Sequence, residues 1–114
     1  MKAINNKLIA EFMELETKTF KSGILNYYYQ GAFEGSWFEK EELSYDCSWG
    51  WLMPVVEKIE SLRNGSGDAY RFNIDMCNAQ IEGTHIEIIG GACKLNTTYQ
   101  AVIEFINQYN KQTL

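Results

Sequence analysis

Residues 70–77 read YRFNIDMC. Tyr70, Phe72, Ile74 and Met76 alternate with Arg71, Asn73 and Asp75. That period of two puts apolar side chains on one face of a strand and polar ones on the other. Residues 80–89, QIEGTHIEII, alternate more loosely, Thr84, Ile86 and Ile88 opposing His85, Glu87 and Ile89. With Asn78-Ala79 as the turn, the two segments predict an antiparallel pair that Gly90-Gly91 brings to an end. Two strands do not make a stable sheet. One or two more are expected from residues 20–46, with helices covering at least one face.

Helical spacing flanks the pair on both sides. Leu52, Val55, Val56, Ile59 and Leu62 form an apolar stripe, with Glu57, Lys58, Glu60 and Arg63 on the wet side. Ser48 is placed as its N-cap. Pro54 offers no N–H to the Gly50 carbonyl, which sets the start of the regular helix near Gly50–Leu52 or bends its first turn. Asn64-Gly65-Ser66-Gly67 reads as a stop and a flexible link. After the pair, Thr97-x-x-Gln100 reads as a capping box opening a helix with Tyr99, Val102, Ile103, Ile106 and Tyr109 on its apolar side. At the other end of the chain, Leu8, Ile9, Phe12, Met13 and Leu15 predict a helix over 5–15, capped by Asn5 or Asn6. The expected fold is one α+β domain over residues 1–114. Its antiparallel sheet is packed by three main helices, in two layers or as an α-β-α sandwich.

Residues 17–46 carry the weakest pattern. Ile24 to Tyr29 suits a short strand, and Gly23, Gly31 and Gly35 interrupt the segment. Such a stretch in a compact domain is commonly functional or mobile. Between Glu34 and Asp46 it holds five acidic residues against Lys40 alone, interleaved with Trp37, Phe38 and Tyr45.

Composition narrows the function. Lys and Arg number 10 and Asp and Glu 15, a formal charge of −5, and no run of basic residues offsets it. General nucleic-acid binding is disfavoured, because an acidic surface repels phosphates. Apolar runs such as Trp51–Val56 are too short to cross a bilayer, and no secretory leader pattern opens the sequence. Cys47, Cys77 and Cys93 are odd in number and lack a C-x-x-C pair, which predicts reduced, buried thiols in a cytoplasmic protein.

One segment carries a resemblance. Tyr45–Glu60, YDCSWGWLMPVVEKIE, is similar to a motif in a group of small uncharacterised proteins of Bacteroidetes-type bacteria and of phages or prophages. The start NKLIAEFM (Asn6–Met13) and the late helix AVIEFI (Ala101–Ile106), with Tyr109-Asn110, look like theirs too; Cys47 and Gly50 depart from the pattern, and residues 17–44 lie outside it. The resemblance implies an α-β-α sandwich and a mobile-element origin. It carries no assigned activity and hence no catalytic residue.

Catalytic and metal chemistry find little support. His85 is the sole imidazole, read as an ordinary strand residue, and three scattered cysteines do not converge as zinc ligands. The Asn64–Asp68 loop follows a helix and precedes a strand, the reverse of a phosphate-binding fingerprint. No cofactor is expected. What remains is aromatic anchors in a carboxylate rim, the chemistry of protein-binding hot spots. Glu34, Trp37, Phe38, Glu39, Glu41, Glu42, Tyr45 and Trp49 form that candidate surface, with packing of Trp49 and Trp51 at the start of a helix as the alternative for those two. The expectation is a non-enzymatic phage-type accessory protein that binds a basic protein, such as a nucleic-acid-binding host or defence protein, in an inhibitory, anti-CRISPR-like manner. The competing expectation is a ligand-binding or enzymatic pocket near Trp49, Trp51 and His85.

Overall fold

The computed structural model describes residues 2–31 and 34–112. The chain divides into two compact units, Met1–Ser44 and Tyr45–Leu114. Among the described residues, three helices and two three-stranded antiparallel sheets make an α+β fold.

In the first unit, helix α1 (Lys2–Phe12) precedes strands β1 (Thr17–Thr19), β2 (Leu25–Gln30) and β3 (Gly35–Phe38), and a single 3₁₀ turn, Lys40–Glu42, follows. The sheet has the order β1-β2-β3. The strands expected between residues 20 and 46 are therefore present, and they form a sheet of their own. Helix α1 starts earlier than its periodicity suggested. Asn6 is no cap: it is buried inside the helix, and its Nδ2 donates to the Leu43 carbonyl at 2.8 Å. That bond ties α1 to the segment after the 3₁₀ turn. The helix ends at Phe12 and is closed off by Glu14 just beyond it, whose φ of 56° is left-handed, with Leu15 N–H donating to Ala10 O at 3.1 Å and Glu14 N–H to Glu11 O at 3.1 Å. This is the Schellman arrangement, here built on a residue other than glycine.

The second unit holds helix α2 (Trp49–Ser61), strands β4 (Arg71–Asp75), β5 (Asn78–Glu82) and β6 (Glu87–Ile88), and helix α3 (Lys94–Gln112). Strand order is β4-β5-β6. The β4–β5 hairpin turns at Met76-Cys77, closed by the Asp75↔Asn78 pair, two residues before the expected Asn78-Ala79. Met76 takes a φ of 37° there and points its side chain to solvent. Gly83, with a φ of 92°, then breaks the long second strand in two, so His85 lies exposed in a loop and not in a strand. Ala79 and Ile81 are buried towards α3, whereas Arg71, Asn73, Asp75, Asn78, Gln80, Glu82 and Glu87 are exposed, the alternation of a sheet wet on one side.

The core of this unit is Leu52, Val55, Val56 and Ile59 of α2, Ile81 and Ile86, and Ala101, Val102, Phe105 and Ile106 of α3. Burying each large aliphatic side chain contributes on the order of 1.5–3 kcal/mol. Pro54 sits within α2, which runs unbroken from Trp49; Ser48 is the N-cap residue. Helix α3 starts three residues before the expected capping box. Thr97 is consequently interior and buried, its hydroxyl donating to the Cys93 carbonyl, and Gln100 Nε2 donates to Asn96 Oδ1 at 2.6 Å. The Asn64–Asp68 loop is held, not loose: Asn64 Oδ1 accepts from the N–H groups of Ser66 and Asp68 at 2.9 and 3.0 Å. Cys47 and Cys93 are exposed and Cys77 is half-buried, so the thiols are not the buried core residues expected. Among the described residues, no helix is long and apolar enough to cross a membrane.

Candidate functional site

The β1–β2–β3 meander sets adjacent aromatics on opposite faces. Tyr28 pairs with Trp37 and Tyr27 with Phe38. Period-two geometry therefore puts Tyr28 and Trp37 on one face, and Tyr27, Tyr29 and Phe38 on the other. On the first face the Trp37 ring meets Tyr28 edge-on, with centroids 5.2 Å apart, and Phe20 edge-on at 5.7 Å. Phe20 is exposed, Trp37 and Tyr28 are half-buried, and Lys18 Nζ stands 5.5 Å from the Phe20 ring centroid. On the second face Phe38 meets Tyr29 at 6.4 Å, and burial raises the Tyr29 phenol above its ordinary pKa. Burial also raises that of Tyr27, and the nearby Glu11 carboxylate adds to the effect.

The carboxylates border β3 at its two ends. Glu34 is exposed just before it; Glu39 is half-buried and Glu41 exposed just after it. Glu42 is turned inward on its own chain: its Oε1 accepts from the Glu39 N–H at 2.9 Å, as in a capping box. Glu39 and Glu41, with Lys7 and Lys40, rim a cleft of about 320 Å³ floored by Ile24, Leu25 and Tyr27.

The expected surface is thus divided. Trp37 and Phe38 share a strand but not a face. Tyr45 is 1% exposed and cannot present its ring; it packs edge-on against Trp51 at 5.2 Å in the second unit. Trp49, 38% exposed, also belongs to the second unit. Phe20, Tyr28 and Lys18 were missed by the sequence reading, although Thr17, Thr19 and the turn at Gly23 mark a hairpin.

Elsewhere in the second unit, His85 lines a pocket of about 140 Å³ with Tyr70, Gly83, Thr84, Phe105, Gln108 and Tyr109. Trp49 and Trp51 do not line it, so the anticipated Trp49/Trp51/His85 site is not assembled there. Among the described residues, no group of three or more His, Cys, Asp or Glu side chains is placed to hold a metal ion. No protein-family model, curated protein or solved structure matches the chain.

Proposed function

We propose that this protein is a binding module that docks on a basic protein surface through the Trp37 face of its first sheet. One observation carries the reading: Trp37 is held edge-on between Phe20 and Tyr28 on a sheet face where Phe20 remains exposed. A half-buried tryptophan braced by its neighbours is a preorganised anchor, and such aromatics dominate hot spots. Glu34, Glu39 and Glu41 border the same strand, and the formal charge of −5 steers association towards a positive partner. The class this reading favours is the small accessory inhibitor of phages and mobile elements, acting by occupying the basic surface of a nucleic-acid-binding or defence protein.

The test is affinity capture from bacterial lysate, with bound proteins identified and their affinities measured across a salt series. Trp37→Ala is expected to raise Kd about tenfold or more. Glu34→Lys with Glu41→Lys should also weaken binding and flatten its salt dependence. Unchanged affinity in both variants would remove the Trp37 face from the interface.

A further inference from the structure

The cleft on the Tyr27 face of the first sheet has a floor and a rim of different chemistry. Leu25 and Tyr27 share one face of β2, and Ile24 precedes them. Ile24 and Leu25 keep 47% and 41% of their surface exposed, so the floor is apolar and open. Four charged side chains rim it: Lys7 from α1, and Glu39, Lys40 and Glu41 from the turn after β3. The rim is built in place. Asn6, next to Lys7, ties α1 to the Leu43 carbonyl at 2.8 Å, and Glu42 Oε1 closes the turn on the Glu39 N–H at 2.9 Å. Tyr27 points to a ligand. It is 3% exposed, and among the described residues its hydroxyl has no hydrogen-bond partner. Among those residues no fully enclosed side-chain polar atom lacks a partner, so the hydroxyl belongs to the small part of Tyr27 that stays open. That opening is the cleft it lines, where the phenol offers its donor to whatever enters.

Charge and size select the occupant. Two ammonium and two carboxylate groups balance around the rim. A ligand of single charge gains no net attraction there, whereas a zwitterion finds a partner for each end. The volume, about 320 Å³, equals roughly ten water-sized groups at about 30 Å³ each, the lower end of ligand pockets. We propose that this cleft binds a free α-amino acid with an apolar side chain. The side chain rests on Ile24 and Leu25, the carboxylate meets Lys7, Lys40 and the Tyr27 hydroxyl, and the ammonium meets Glu39 and Glu41. The cleft lies on the sheet face opposite Trp37, so the site does not depend on the protein-docking reading.

The probes are L-leucine and L-phenylalanine, titrated into the full chain by calorimetry and by NMR of the Ile24 and Leu25 methyl signals. Glycine lacks the apolar side chain, N-acetyl-leucine the ammonium and leucinamide the carboxylate. Saturable binding with a Kd on the order of 1 mM or below is expected for leucine or phenylalanine, and binding about tenfold weaker or more for each of the three controls. Tyr27→Phe keeps the ring. Because the hydroxyl has no partner within the described chain, the melting temperature of this variant should match the wild type while amino-acid affinity falls about threefold to tenfold. Lys40→Glu, at an exposed position, should weaken binding by about tenfold. Trp37→Ala should leave it unchanged, which separates this site from the docking face. No saturation, controls that bind as well as leucine, or a Tyr27→Phe variant that binds as tightly as the wild type would overturn the site.

Discussion

The Tyr28 ring occupies the space that a Cβ on Gly35 would need. Gly35 stands opposite Gln30 in the β2–β3 ladder, and Tyr28 lies diagonally across it, its hydroxyl donating to Gln30 Oε1 at 3.1 Å. An aromatic ring laid over a strand glycine covers backbone that would otherwise be wet. Gly35→Ala is expected to evict the ring and with it one of the two neighbours bracing Trp37. Because the displaced atoms are the far end of a partly exposed side chain, the stability loss should stay near the worth of one aromatic pair, about 0.5–1.5 kcal/mol. The sensitive readout is the NMR shift of the Trp37 indole, with partner affinity falling in parallel. An unshifted indole would show that Tyr28 does not hold Trp37.

Glu14 offers a stabilising change. Its left-handed backbone at the end of α1 suits glycine and strains a residue with a Cβ. Glu14→Gly is expected to raise stability by about 0.5–1 kcal/mol, with the relieved strain outweighing the added freedom of the unfolded chain. Urea denaturation with an unchanged m-value checks it. A lower midpoint would mean that the Glu14 side chain contributes more than its backbone costs.

Asn6 and Leu43 make the opposite case. Both are buried, and the amide of one satisfies the carbonyl of the other. Asn6→Ala removes the donor and leaves a buried acceptor, a loss of about 1–3 kcal/mol. Hydrogen exchange at Leu43 and its neighbours should accelerate more than exchange within α2. A uniform change across the chain would contradict a local tie.

Much of this could be read from periodicity, and the failures have physical causes. The α2 stripe and the alternation from Tyr70 onward are strong because each buries one continuous face. The β2–β3 hairpin stayed illegible because its run of tyrosines suits either face of a sheet, and only register decides which ring points where. Adjacent Trp37 and Phe38 looked like one patch for that reason. Tyr45 looked exposed because carboxylates surround it in sequence, yet it is buried, with its ring edge-on to Trp51, six residues on in the first turn of α2. Thr97 mimicked a cap because a buried threonine satisfies its hydroxyl on the carbonyl four residues back, leaving the same sequence trace inside a helix.

Tyr99 makes stability depend on alkaline pH. The residue is 8% exposed, and burial, with the nearby Asp46 carboxylate, pushes its phenol's pKa up to about 12 from an ordinary 10.0. Between those values the unfolded chain releases the proton while the folded chain keeps it. The folded state then binds more protons, so its stability falls as pH rises. The loss begins near 10, is complete near 12, and at most reaches roughly 1.4 kcal/mol for each pH unit of that window. Tyr27 and Tyr29, shifted in the same direction, add smaller losses there. Tyr99→Phe removes the titrating group, so its stability curve should decline less steeply above pH 10 than that of the wild type. Chemical denaturation at pH values on both sides of that point measures the difference. Parallel curves for the two proteins would assign the alkaline loss to other groups.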